Sequence, residues 1–125
     1  MKAAARQTLS VLVSDDSAIL RERLAGLLEE REGLRVVGLA GSAAEAWRLF
    51  LQRRPDAVVL DVKLPDGSGI DLLRQIKGAS PHCVVLMLTN YDEAEFEEEC
   101  HRQGADFFLR KATEFETAAD LLARL

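Results

Sequence analysis

The sequence predicts an α/β fold, a three-layer sandwich of five βα repeats around a parallel sheet, and three observations predict it. Five short apolar runs recur at 9–14, 34–39, 56–60, 83–88 and 105–109. Stretches with helical periodicity separate them, and glycines or helix-starting residues punctuate the joins. Near-continuous apolar runs suit strands buried on both faces, because helices then cover both sides of the sheet and leave no solvent face for polar alternation.

The helical stretches follow in order. Leu20, Leu24, Leu27 and Leu28 form one stripe, Ala43, Ala46, Trp47 and Phe50 a second, and Leu72, Leu73 and Ile76 a third. Trp47 and Phe50 are read as packing rather than as a ligand-stacking pair. The fourth helix offers only Phe96 and Cys100 amid many acids, which predicts thin packing. On the last, Ala118, Leu121, Leu122 and Leu125 lie beside Phe115 in a stripe broad enough for a partner or dimer contact. Ser42-Ala43-Ala44-Glu45 and Thr113-Glu114-Phe115-Glu116 match the capping box. Gly33, Gly38, Gly41, Gly67, Gly69, Gly78 and Gly104 cluster near element ends, where positive φ is expected. Right-handed crossovers then favour the flavodoxin-like strand order 2-1-3-4-5. Residues 1–8 read as a flexible tail and 9–125 as one domain.

The 125 residues, 48% apolar and 30% charged, are ordinary for a soluble domain. No apolar run approaches the roughly 20 residues of a membrane helix, and no apolar core follows the basic start as in a signal peptide. The cytoplasm is the expected address. A net charge of −5 disfavours a broad nucleic-acid surface. Cys83 and Cys100 lack metal or redox spacing and read as packed free thiols, and His82 and His101 have no partner at zinc spacing.

In the expected fold, ligands sit beyond the carboxyl ends of the strands, at the point where the strand order reverses. Asp15-Asp16 end the first strand, Asp61 the third and Thr89 the fourth, and Lys111 follows the fifth, so all converge on one rim. Three gathered carboxylates repel one another, and a hard cation with oxygen ligands is the cheapest way to keep them ionised. Mg²⁺ fits, since it accepts few protein ligands and shares its site with phosphate oxygens. A carboxylate beside it can attack a phosphoryl group while Lys111 and Thr89 stabilise the other oxygens.

Asp15-Asp16-Ser17, Asp61-Val62-Lys63-Leu64-Pro65-Asp66-Gly67, Thr89 and Phe108-Leu109-Arg110-Lys111 together resemble the receiver domain of response regulators, from about Leu9 to the end. The resemblance implies a phosphorylation switch rather than an enzyme with a free substrate. Its phosphoryl group would come from a phosphohistidine on a sensor histidine kinase or histidine phosphotransfer protein. It further implies Asp61 as acceptor, Asp16 as direct Mg²⁺ ligand, Asp15 as a neighbour acting through water, and the Lys63 backbone carbonyl as another ligand. Lys111 would hold phosphate, and Thr89 with Phe108 would form the switch. Lys63, Asn90 and Tyr91 occupy places that tune the phosphoryl lifetime. A downstream protein would dock on the fourth helix, fifth strand and fifth helix, with the chain a monomer or a phosphorylation-dependent dimer. No contact with nucleic acid or membrane is expected of this chain.

Three other readings compete: a phosphorylation-independent docking module of the same fold, a fragment of a longer DNA-binding regulator, and a flavodoxin-like cofactor carrier. Against the last, Ser14-Asp15-Asp16-Ser17 would repel an unaccompanied phosphate. Two departures from the family pattern bear on the site. Ala112 follows Lys111 where receivers usually have proline after a cis bond, which leaves either a trans bond with a shifted loop or a strained exception.

Asn90 follows Thr89 where a small residue is usual, and its amide should narrow access to Asp61. Asn90→Ala is therefore expected to speed phosphorylation by acetyl phosphate, and an unchanged rate counts against the idea. The Lys63 ammonium adds positive charge near the metal. Lys63→Ala should accordingly tighten Mg²⁺ binding in a direct titration.

Overall fold

A computed structural model describes residues 8–90 and 94–125. The order is β1 (Leu9–Ser14), α1 (Ala18–Glu29), β2 (Leu34–Ala40), α2 (Ala43–Arg53), β3 (Ala57–Leu60), β4 (Lys63–Leu64), β5 (Gly67–Ser68), α3 (Gly69–Ala79), β6 (Val84–Thr89), α4 (Ala94–Arg102), β7 (Phe107–Arg110), α5 (Lys111–Glu114) and α6 (Thr117–Ala123). Five strands form one parallel sheet in the order β2-β1-β3-β6-β7. This is the expected 2-1-3-4-5 order, with a short antiparallel β4–β5 hairpin inserted after the third strand of the sheet.

Alternation along the strands divides the core. Leu12, Val58, Leu60, Val85, Met87 and Phe108 face one layer, with Phe50, Leu72, Leu73, Ile76 and Cys100 from the helices. Val11, Val13, Val59, Leu86, Leu88 and Leu109 face the other, with Leu24, Leu28, Ala118 and Leu122. Both cysteines are buried free thiols, and burial pushes each thiol up to about 11. Trp47 stacks on the fully buried Phe50 with ring centroids 5.5 Å apart. On α4, Cys100 is buried and Phe96 only partly so, while Leu125 at the end of the last stripe is exposed. No described helix is long and apolar enough to cross a membrane.

Two expectations are corrected. Among the clustered glycines only Gly33 and Gly104 have positive φ. Gly69 serves close approach instead: a Cβ there would lie 1.8 Å from the Asp61 carbonyl oxygen, and its N–H donates to Val62 O at 2.7 Å. The second correction concerns Thr113, which lies inside α5 and caps no helix. The chain turns at Arg110, whose N–H is accepted by Glu114 Oε1 at 3.0 Å, so that Lys111 points back to the rim. No described peptide bond is cis, so Lys111–Ala112 is trans, and a helix starts where a shifted loop was one alternative.

The start of α2 is clamped from outside its own segment. Ser42 Oγ accepts from Glu45 N at 3.1 Å, and Glu45 Oε1 accepts from Gly41 N at 2.8 Å. Asp66, on the β4–β5 turn, accepts from Ala43 N at 2.7 Å and Ala44 N at 2.9 Å. These bonds, Ala44's first, hold the Asp66 carboxyl below its ordinary value of 3.8. A depressed folded value means stabilisation that is full above the unfolded value and lost as pH falls through the folded one. Asp66→Asn should lower the urea midpoint at pH 7, and the gap to wild type should close on acidification to pH values below about 3; a gap independent of pH would contradict this assignment.

Candidate functional site

The rim forms because β1, β3 and β6 are parallel neighbours, so their carboxyl ends lie side by side. Asp61 N donates to Ser14 O at 3.1 Å and Asp15 N to Ala40 O at 3.0 Å, which extends the ladder one residue past the strand ends. The two carboxylates are thereby held by backbone. Asp15 Oδ1 accepts from Ser17 N at 2.9 Å, and Ser17 Oγ caps α1 through Leu20 N at 3.3 Å.

Lys111 Nζ donates to Asp61 Oδ2 at 2.8 Å and pairs with Asp15 Oδ2. All three residues are buried, with 6% exposure for each aspartate and 8% for the lysine. Burial raises the Asp61 carboxyl above its ordinary value, and the Asp15 charge adds to this while Lys111 opposes it. Burial also disfavours the Lys111 ammonium, but its bonds to Asp15 and Asp61 outweigh that and raise its pKa. The lysine therefore stays charged.

Asp16 is exposed, and one carboxylate oxygen each from Asp15, Asp16 and Asp61 lie within 4.8 Å of one another. With all four groups ionised the cluster carries three negative charges and one positive. The surplus and the all-oxygen donor set fit a hard divalent cation such as Mg²⁺. The exposed Asp16 gives an ion access from solvent.

The other expected residues lie around this cluster. Thr89 ends β6, is fully buried, and pairs in register with Arg110. By strand alternation Thr89, Phe108 and Arg110 share the sheet face of Met87. Phe108 is already buried, at 7% exposure, with the Arg110 guanidinium 5.9 Å from its ring centroid. Asn90 is exposed directly after Thr89. The Lys63 side chain is exposed, and its N–H lies 3.4 Å from Asp61 Oδ1. Tyr91 falls outside the described residues.

Sequence reasoning missed Gly69, the Asp66 clamp and the Arg110 links to Glu97 at 3.3 Å and Glu114 at 3.6 Å. It also missed Arg21, whose Nη1 donates to Asp15 O at 2.7 Å. One signal was present for the last: a cation near the start of a helix opposes the helix dipole and calls for a local acceptor.

A family profile described as a response regulator receiver domain matches residues 11–123. Among curated proteins, the DNA-binding transcriptional activator DevR/DosR of Mycobacterium tuberculosis is 44% identical over 87 residues, covering 70% of this chain and 40% of that protein. The transcriptional regulatory protein LnrK of Bacillus subtilis is 33% identical over 103 residues, covering 82% of this chain and 47% of its own length. The chain thus spans less than half the length of these two relatives. Among solved structures, a LuxR-family two-component response regulator from Aurantimonas superposes with TM-score 0.85 at 30% identity, covering 94% of this chain and 86% of that one. The response regulator domain of Thermotoga maritima CheB gives 0.83 at 29%, covering 94% and 92%.

The buried charges set opposite expectations for two substitutions in metal-free buffer at pH 7. Asp61→Asn removes a carboxylate whose ionised form burial disfavours, and should raise unfolding stability by roughly 1 kcal/mol. Lys111→Met leaves the acids uncompensated and should lower it by about 3 kcal/mol. Urea melts in EDTA check both signs.

Proposed function

The chain belongs to the response-regulator receiver domain family, and from that membership we propose that it is a phosphorylation switch whose Asp61 accepts a phosphoryl group from a phosphohistidine of a sensor kinase or phosphotransfer protein. One observation carries this reading: a buried lysine bonded to two buried aspartates at the strand tips, with a third, exposed aspartate in reach of the same ion. A purely structural ion pair has no need of the third acid.

In the proposed reaction an Asp61 carboxylate oxygen forms the new P–O bond as the P–N bond to the donor imidazole breaks, its electron pair leaving on the ring nitrogen. In the acyl phosphate the negative charge lies on the phosphoryl oxygens instead of the Asp61 carboxylate, so Lys111 would turn an N–H toward one of them while keeping Asp15. Thr89 donates its hydroxyl to another oxygen. Mg²⁺, held by Asp16, Asp61, Asp15 and the Lys63 carbonyl, would neutralise charge on the transferring group. Positioning and charge compensation are the protein's share, and phosphoryl transfer asks little more. The domain, residues 9–125, would act in the cytoplasm and turn over no free substrate.

Readout is proposed to run through the face of α4, β7 and the last helices. Thr89 and Phe108 share that side of the sheet, and Arg110 joins β7 to Glu97 of α4 and Glu114 of α5. The DNA binding stated in the name of the mycobacterial relative is a property of that longer protein.

Incubation with acetyl phosphate and Mg²⁺ should add one PO₃H unit to the intact mass, lost in Asp61→Asn and in EDTA. Beryllofluoride with Mg²⁺ should shift the amides of Asp61, Thr89 and Phe108. A mass that never changes, with or without Mg²⁺, would favour the phosphorylation-independent docking module instead.

A further inference from the structure

We infer that Arg21 is a positioning residue, whose guanidinium fixes the peptide between Asp15 and Asp16 so that one carboxylate turns to Lys111 and the other to a divalent ion, and that Gly41 is glycine to leave that guanidinium room. This rests on the receiver reading above and deepens it, because the group positioned is the metal-facing turn.

β1 ends at Ser14, and the next residue still donates its N–H to Ala40 O at 3.0 Å. Beyond that bond the chain leaves the sheet, and the Asp15–Asp16 peptide has to be oriented by something else. Arg21 Nη1 donates to the Asp15 carbonyl at 2.7 Å, a charge-assisted bond that sets the plane of this peptide. That plane decides where the neighbouring side chains start. Asp15 is buried and goes to Lys111, whereas Asp16 is exposed at the open side of the cluster. A rotated peptide would carry the Asp16 carboxylate away from Asp61.

Arg21 is the fourth residue of α1, close to the positive end of the helix, and no acid lies in the first turn to offset it. Its own N–H is spent on Ser17 O at 2.9 Å, which locks the turn from which the side chain reaches back.

Gly41 supplies the second observation. It sits on the turn between β2 and α2, and a Cβ built there would stand 2.9 Å from Arg21 Nη1, 3.5 Å from Cζ and 3.7 Å from Nη2. The three nearest atoms all belong to this one guanidinium. Positive φ does not explain this glycine, since among the described residues only Gly33 and Gly104 of the glycines have it. A methyl group at Gly41 therefore acts on the neighbouring acidic turn by pushing the tip of Arg21 aside.

The test compares wild type, Arg21→Met, Arg21→Lys, Gly41→Ala and the Arg21→Met/Gly41→Ala double variant. Mg²⁺ alone is titrated and followed through the amide shifts of Asp16 and Asp61, and thermal midpoints are taken in EDTA. Each of Arg21→Met and Gly41→Ala should weaken Mg²⁺ roughly tenfold, Arg21→Lys should recover most of the affinity, and the double variant should be no weaker than Arg21→Met. The inference is overturned by Mg²⁺ affinities within about twofold of wild type in folded Arg21→Met or Gly41→Ala. Losses that simply add in the double variant would overturn it too. Should Arg21→Met fail to fold, Gly41→Ala with Arg21 intact still decides. Wild type that takes up no Mg²⁺ removes the receiver reading itself, which is a distinct outcome.

Discussion

The site depends on one ammonium placed between two largely buried carboxylates. Asp15 and Asp61 come from neighbouring strand tips; burial and the Asp15 charge raise the Asp61 carboxyl, and Lys111 opposes them. With it the charge balance is still incomplete, because Asp16 brings a third carboxylate to the same few ångströms. That third carboxylate suits the rim to a hard cation in a way a closed ion pair would not. Asp61 is the member whose ionised form burial disfavours.

Such an arrangement needs rigid support, and the support comes from contacts distant in sequence. The turn after Asp61 is closed by Gly69, whose backbone lies where no side chain would fit against the Asp61 carbonyl. Its far end is tied to α2 by the two N–H groups that Asp66 accepts. The turn after β1 is held by Arg21, and the turn after β7 by the Glu114 bond to Arg110 N. Each of these three turns thus has a separate fastening.

Much of this was legible in the sequence because it is written in short-range terms. Apolar runs marked the strands, stripes such as Leu72, Leu73 and Ile76 marked helices, and all three of those residues are buried. The acids at strand ends were legible because topology carries strand ends to one edge, whatever the side chains do. What was hidden depends on pairs that no local spacing reveals. Asp66 caps a helix that starts 23 residues earlier, and the closeness of Gly69 to Asp61 is a fact of chain path, not of composition. Thr113 misled for the opposite reason: its local pattern is a good capping box, but the demand that Lys111 face the rim moved the helix start to that lysine.

The path from the rim to a partner surface follows from strand alternation. Lys111 and Arg110 are consecutive, and one turns to the acids while the other lies on the sheet face that carries Thr89 and Phe108. On the proposed reading, a change of charge at Asp61 would act first on Lys111, which bonds to it, and on the hydroxyl of Thr89. Arg110 stands opposite Thr89 in the ladder and over the ring of Phe108, and its guanidinium holds Glu97 of α4. Among the described residues, the helix it reaches is anchored in the core by Cys100 and a partly buried Phe96. On the proposed reading, a helix with few core anchors, held by an arginine next to the acidic rim, is the element whose position a phosphoryl group there would bias.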